Sequence, residues 1–383
     1  MTTTNTLPLE GIRVIDFTQV FLGPSATQML GDFGADVIKV ENPGGGDLSR
    51  KSFGAVDEKG MNNPVFCSMN RNKRSLTLDL RNEEGRQTVY RLIKTADVVV
   101  SNFRPGVMER LELDYENVRR INPQIIYASG NGYGSSGPYV HKGGQDVLTQ
   151  AMSGVMMRRS DSSLPITIYP TALCDYTTGM HLVQAILAAL IRRLRHGEGQ
   201  RVEVSMYDSM IAMQMQEAAG QLNEGKEINW AERPLTGVFD TSDGALVLVG
   251  AFKQNPLRDI CQVLNIDDLS EQYPDLAAQQ QAKPYLQSRF KAEFAKESTA
   301  FWIERLEAAD LLCSPVRTLA ETLEDTQTKL NGMIETIQHP LNGTMRLVSS
   351  PVHFAGIGRV VRRPPPLLGE HNEEILGELA ETP

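Results

Sequence analysis

Ile12-Arg-Val-Ile-Asp-Phe17, followed by Thr18-Gln-Val-Phe-Leu-Gly-Pro24, Ser25-Ala-Thr-Gln-Met-Leu-Gly-Asp-Phe33 and Asp36-Val-Ile-Lys-Val-Glu41, decides the fold. The first and last runs are short and rich in Val and Ile, the pattern of buried strands. Between them Ala26, Met29, Leu30 and Phe33 share one face at helical spacing, so the stretch reads as a strand over 12–17, a loop over 18–24, a helix over 25–33 and a strand over 36–41. The pattern recurs with a strand over 75–80, an amphipathic helix over 83–94, a strand over 97–101, and a strand over 125–129 that runs into Gly130-Asn-Gly-Tyr-Gly-Ser-Ser-Gly137. Alternation of this kind predicts an α/β fold with a doubly wound, Rossmann-like parallel sheet covered by helices on both faces. Ligands of such sheets bind outside the carboxyl ends of the strands. That directs attention to the loops Thr18–Pro24, Asn42–Arg50, Asn102–Gly106 and Gly130–Gly144.

At 383 residues the chain exceeds what one core usually supports, and two domains are expected. After Arg201 the texture changes. Val202–Leu222 reads as a methionine-rich helix, Gly237–Thr241 and Ala245–Gly250 as strands joined through Ser242-Asp-Gly244, and 256–264, 284–295 and 299–309 as helices. A second hairpin signal, Leu341-Asn-Gly-Thr344, precedes a short terminal helix near 369–376. The expected organisation is a large domain over 1–200, a linker helix and small α+β domain over 201–330, and a return to the large domain over 331–383.

Pro165-Ile-Thr-Ile-Tyr-Pro-Thr-Ala-Leu173 reads as extended and gives way to a helix near Tyr176, carried by Met180, Val183, Ile186, Leu187, Leu190 and Leu194 and stopped by Gly197. Asp175 is then expected at or beside the N-cap of a strand-to-helix corner. One reading makes it a helix cap, which contributes about 1 kcal/mol. The other makes it a chemical carboxylate at a ligand-binding edge.

A net charge of −9 argues against a protein that coats nucleic acid or an anionic membrane with a basic face. Any anionic ligand must meet a local cluster, and Arg71, Lys73, Arg74 and Arg81, then Arg104 and Arg110, are the candidates. The alternative for Lys73, Arg74 and Arg81 is a solvated face. Cys67, Cys174, Cys261 and Cys313 stand far apart without a Cys-x-x-Cys pair and read as reduced thiols of a cytoplasmic protein, with no metal site expected. The first βα turn, Thr18–Pro24, lacks Gly-x-Gly-x-x-Gly, so an ordinary dinucleotide grip is not expected there, and no P-loop pattern is present.

Leu9-Glu-Gly-Ile-Arg-Val-Ile-Asp-Phe-Thr18 resembles the opening of the class III CoA-transferases, the CaiB/BaiF group that includes formyl-CoA and carnitine CoA-transferases. So do Phe33-Gly-Ala-Asp-Val-Ile-Lys-Val-Glu41, Asn72-Lys-Arg-Ser75, Asn102-Phe-Arg-Pro-Gly106, Gly132-Tyr-Gly-Ser-Ser-Gly-Pro138, Asp146 with Gln150-Ala-Met-Ser-Gly154, Leu173-Cys-Asp-Tyr-Thr-Thr-Gly179 and Pro366-Leu-Leu-Gly-Glu-His371. The resemblance implies that Asp175 is the catalytic nucleophile, forming a mixed anhydride and then an aspartyl-CoA thioester, with helix N–H groups keeping it ionised. It implies that CoA, a substrate and not a tightly bound cofactor, lies along Val20, Phe21, Leu78, Arg81, Asn102, Phe103, Arg104, Arg110, Lys142 and Gly143. Its partners would be an acyl-CoA and a small carboxylic acid, with neither nucleic acid nor membrane. The quaternary structure implied is a homodimer of two interlocked rings.

Two departures bear on the substrate. Formyl-CoA transferases carry glutamine where Phe21 stands, and a glycine-rich loop with no counterpart here. Related acyl-CoA racemases carry histidine where Gln145 stands, and racemisation needs a proton carrier on each face of the α-carbon. The alternatives to CoA transfer are an acyl-CoA racemase, an intramolecular CoA isomerase, and a non-catalytic scaffold in which Asp175 only caps its helix.

Overall fold

The computed structural model describes residues 6–51, 63–358 and 361–381. The opening unit forms β1 (Arg13–Asp16), α1 (Leu22–Asp32) and β2 (Asp36–Glu41). Then come β3 (Lys73–Thr77), α2 (Glu83–Thr95), β4 (Val98–Ser101), β5 (Ile126–Asn131), α3 (Asp146–Met152), α4 (Leu173–His196), β6 (Gln200–Ser205) and α5 (Met206–Met213). The six strands are all parallel, in the order β3-β2-β1-β4-β5-β6. The order reverses between β1 and β4, so the loops leaving those strands part and open a crevice.

Consecutive strand residues enter opposite cores. Val14, Val37, Val98 and Ile126 pack with α1 and α4, whereas Ile15, Ile38, Val99 and Tyr127 pack with α2. Helix α1 starts three residues before the expected Ser25, because proline is tolerated in a first turn and Pro24 does not delay it. Helix α4 packs closely on α1. A Cβ at Gly179 would stand 2.5 Å from Ser25 Oγ, which accounts for a glycine inside this helix.

Two sequence expectations fail here. The segment before α4 forms no strand; Ile166 and Ile168 are exposed, and the edge of β5 is taken instead by β6. That sixth strand includes Val202, expected in a helix; the helix begins at Met206, behind Ser205, whose hydroxyl accepts from Asp208 N.

In the smaller unit β7 (Thr236–Asp240) and β8 (Ala245–Val249) form the expected antiparallel hairpin. Helices α6 (Pro256–Leu264), α7 (Lys283–Phe294) and α8 (Thr299–Ala308) follow, and β9 (Leu312–Pro315) adds to the other edge of β8. Their core holds Phe239, Leu246, Phe290, Phe294 and Trp302. The chain ends with the hairpin β10 (Ile334–His339) and β11 (Gly343–Val348), then α9 (Asn372–Glu381). Arg74 ties α9 to β3 through Glu374 and Glu378, and Asn372 caps the backbone of Thr77.

The compact units are Met1–Val155 with Ile168–Gln214 and Thr326–Pro383, and Met156–Thr167 with Met215–Asp325. The division thus falls after Gln214, not at 200, since β6 and α5 belong with the large sheet. Among the described residues no helix is long and apolar enough to cross a membrane.

Candidate active site

A cleft of about 350 Å³ opens at the carboxyl edge of the large sheet. Its walls are Gln19–Leu22 after β1, Asn102–Pro105 after β4 and Gly130–Gly134 at the end of β5 and beyond it, with Lys142, Gln145 and, from α4, Asp175. The glycines at 132 and 144 let two backbones touch there, since a Cβ on either would stand 2.6 Å from the Cα of the other.

The turn after β1 is held by side chains from three directions. Asp16 Oδ1 accepts from Thr18 N at 2.8 Å, and Lys39 Nζ donates to Thr18 O at 2.7 Å. Asn102 clasps Gln19 from both sides, accepting from its N at 2.8 Å and donating to its O at 2.7 Å. Asp47 Oδ1 accepts from Val20 N at 3.0 Å. Held this way, Val20 adopts φ 70°, a left-handed conformation costly for a β-branched residue and stable only where its surroundings enforce it.

Beneath the turn lies a buried charge network: Lys39 with Asp47 at 2.8 Å, Lys73 with Asp16 at 3.1 Å, and Arg50 with Glu41 at 2.7 Å. Burial alone would raise the Asp16 carboxyl, but Lys73, Lys39 and the Thr18 and Thr27 hydroxyls together hold it below the usual carboxylate range. Burial pushes Lys73 down to about 8, which leaves it charged at neutrality.

Asp175 has the opposite environment. Its helix begins one residue after Ala172, so Asp175 lies in the first turn and not at the N-cap. The amides of Cys174 and Asp175 donate to Asp146 Oδ2, at 2.7 and 3.0 Å. The helix N–H groups expected to hold Asp175 ionised are therefore occupied by another carboxylate. Among the described residues no donor reaches the Asp175 oxygens. Burial and then the Asp146 charge raise its pKa to about 7. The neighbouring Cys174 thiol is buried and pushed up to about 12 by burial, Asp146 and Asp175, so it is no competing nucleophile at neutral pH.

The cleft gathers Val20, Phe21, Asn102, Phe103, Arg104, Lys142 and Asp175 from the expected set. Gly143 adjoins it, with Arg104 Nη2 3.0 Å from where its Cβ would be. Leu78 instead packs on the α2 side of the sheet, and Arg81 is exposed and paired with Asp79 at 2.9 Å. Arg110 lies outside the cleft lining, on the turn after β4. The basic run of β3 is neither a phosphate cluster nor a solvated face. Arg71 is forked onto Asp32, Lys73 is buried against Asp16, and Arg74 bridges Asp36, Glu374 and Glu378. Sequence reasoning missed Asp146 as a partner of Asp175 and Asp47 as a support of the turn. A carboxylate just after Gln145, opening one helix 29 residues before Asp175, was the available signal. Gln145 itself accepts from Val147 N as the cap of α3.

The family model described as CoA-transferase family III matches residues 9–372. The chain is 35% identical over 379 residues to succinyl-CoA:glutarate CoA-transferase of Mus musculus, covering 97% of this chain and 86% of that one. It is 35% identical to formyl-CoA:oxalate CoA-transferase of Streptomyces coelicolor, covering 97% and 95%. A solved structure of a CAIB/BAIF family protein from Brucella suis superposes with a TM-score of 0.86 at 31% identity, covering 98% of this chain and 100% of that chain.

Proposed function

The chain belongs to CoA-transferase family III, and we propose that it moves CoA from an acyl-CoA to a small carboxylic acid through covalent intermediates on Asp175. The observation that carries this reading is a carboxylate on the cleft wall that no donor among the described residues reaches and whose pKa is raised to about 7 by burial and then by Asp146. A helix cap would have its oxygens on backbone amides; here Asp146 has that role. Gln145 offers no proton carrier, which disfavours racemisation.

In the first step an Asp175 oxygen attacks the thioester carbonyl carbon. A C–O bond forms, the C–S bond breaks, and CoA leaves as thiolate with the electron pair. The thiolate then attacks the Asp175 carbonyl carbon of the mixed anhydride, giving the aspartyl-CoA thioester and releasing the donor acid as carboxylate. The acceptor carboxylate attacks that thioester, and the thiolate returns to the acceptor's acyl carbon, which regenerates Asp175. No proton is consumed, and the overall transfer is close to neutral because one thioester and one carboxylate are exchanged for another thioester and carboxylate, while covalent catalysis divides it into separate steps. Arg104 and Lys142 are the cations on the cleft lining suited to CoA phosphates.

Phe21 on the cleft wall favours an acid less polar than oxalate, and the names of the relatives make four- and five-carbon dicarboxylic acids the first acceptors to try. The active form in this reading is a cytoplasmic homodimer of interlocked rings. The test is intact-mass spectrometry after incubation with succinyl-CoA and other short acyl-CoAs, with and without hydroxylamine. A hydroxylamine-sensitive CoA adduct is expected on Asp175 and is lost in Asp175→Asn, with turnover reduced by at least about a thousandfold. An Asp175→Asn protein that turns over normally would overturn the nucleophile reading.

A further inference from the structure

Resting on the nucleophile reading above, we propose that Asp146 is a positioning residue of the reaction: by accepting from the Cys174 and Asp175 amides and setting its own negative charge beside the nucleophile, it keeps those N–H groups off the Asp175 carboxylate and leaves that carboxylate basic enough to attack a thioester. Asp146 is buried, at 5% exposure. Its Oδ2 accepts from Cys174 N and Asp175 N, and its Oδ1 accepts from Gln150 Nε2 at 2.7 Å. Three accepted N–H bonds on one side chain fit a carboxylate. Gln150 is anchored in turn, donating to Tyr169 O and accepting from Tyr169 N, so the segment entering α4 and the carboxylate that caps it are one connected assembly.

The geometry matters because the N-terminal amides of a helix are the strongest nearby stabilisers of an anion. Bound to Asp175 they would hold its lone pairs and lower its basicity, and with it its nucleophilicity. Directed at Asp146 they fix the start of α4 while a second negative charge stands beside the nucleophile.

Other charged or titratable groups stand on the elements packed against α4. Helix α5 offers Tyr207 and Asp208, the latter bonded to Ser205. The cleft wall offers Arg104, Lys142 and Tyr133. Strand β6 offers Arg201 and Glu203, paired with each other, and β5 the buried Tyr127. Helix α1 offers Asp32, which is held by Arg71. Of these and Asp146, Asp146 is the one whose charge raises Asp175, after burial itself.

The experiment measures the rate of CoA-adduct formation against pH, from 5 to 9, with succinyl-CoA or whichever short acyl-CoA labels the wild type fastest. The wild-type rate should fall with a midpoint near 7 as Asp175 is protonated. Asp146→Asn can still cap α4 but has lost the charge, and its midpoint should drop by about one pH unit. Asp146→Ser, whose hydroxyl accepts from the amides without presenting an N–H to Gln150, reads the same loss of charge if the asparagine variant does not fold. Asp146→Glu restores the charge and should return the midpoint toward 7. Charge-removing variants that keep the wild-type midpoint would overturn the proposal and reduce Asp146 to a structural cap. A wild type that forms no adduct with any donor would instead sink the nucleophile reading of Asp175.

Discussion

Asp16 and Asp175 are both aspartates at the carboxyl edge of one sheet, and their surroundings drive them in opposite directions. Asp16 ends β1 with Lys73 and Lys39 close by and the Thr18 and Thr27 hydroxyls on its oxygens, and it is held below the usual carboxylate range. Asp175 stands in the first turn of α4 with a second carboxylate beside it and, among the described residues, no donor on its oxygens, and it is raised to about 7. Every bonding position of the first is used for structure. Those of the second are open, and an open carboxylate in a cleft is available for chemistry.

The largest effect that would break this contrast is on stability. Asp16→Asn leaves the Lys73 ammonium buried opposite a neutral amide, and urea denaturation should show a loss of about 3–5 kcal/mol. An unchanged midpoint would mean that the network is dispensable. Next in size, Asp175→Asn should stabilise the fold by about 1–3 kcal/mol at pH 8. A carboxyl with a raised native pKa makes the native state bind more protons than the unfolded chain, so its penalty is absent below about pH 4 and grows until about 7. The gain should accordingly vanish in acid. Asp16 has the reverse slope: its depressed pKa contributes stability above about pH 4 that is lost as pH falls. A gain for Asp175→Asn that did not depend on pH would contradict the contrast.

Smaller effects sharpen the same distinction among the cations. Arg104→Ala should weaken CoA binding about tenfold by calorimetry, because Arg104 faces the cleft. Arg81→Ala should change binding less than about twofold and stability less than about 0.5 kcal/mol, since its pairing with Asp79 is exposed. Equal losses for the two arginines would mean that the cleft is not where phosphates are held.

Much of the architecture is legible because it follows from local pattern. The βαβ run, the hairpins β7–β8 and β10–β11 and the helices expected over 256–264 and 299–309 lie where periodicity and turn residues put them, the last ending at Ala308. The misses share a cause. Val202 and Val204 read equally well as the start of a helix or as a sixth strand, and only the free edge of β5 decides between them. Ile166 and Ile168 have strand propensity but join no strand of the sheet. In the site, Arg71, Lys73 and Arg74 read as phosphate ligands because their partners Asp32, Asp16 and Asp36 lie 39, 57 and 38 residues away.

The sequence by itself determined that short Val- and Ile-rich runs alternate with amphipathic helices, that the sheet is therefore parallel and doubly wound, and that Asp175 belongs to a helix beginning near its ligand-binding edge. These follow from spacings of a few residues, which the chain carries in its order. Only the tertiary structure decided which cations are locked in ion pairs and which face the cleft. It also decided that Asp146 takes the Cys174 and Asp175 amides and that no donor among the described residues reaches the Asp175 oxygens. Those outcomes depend on distances of about 3 Å between residues remote in the chain, and on the removal of water around them, and both exist only once the sheet and its helices have packed.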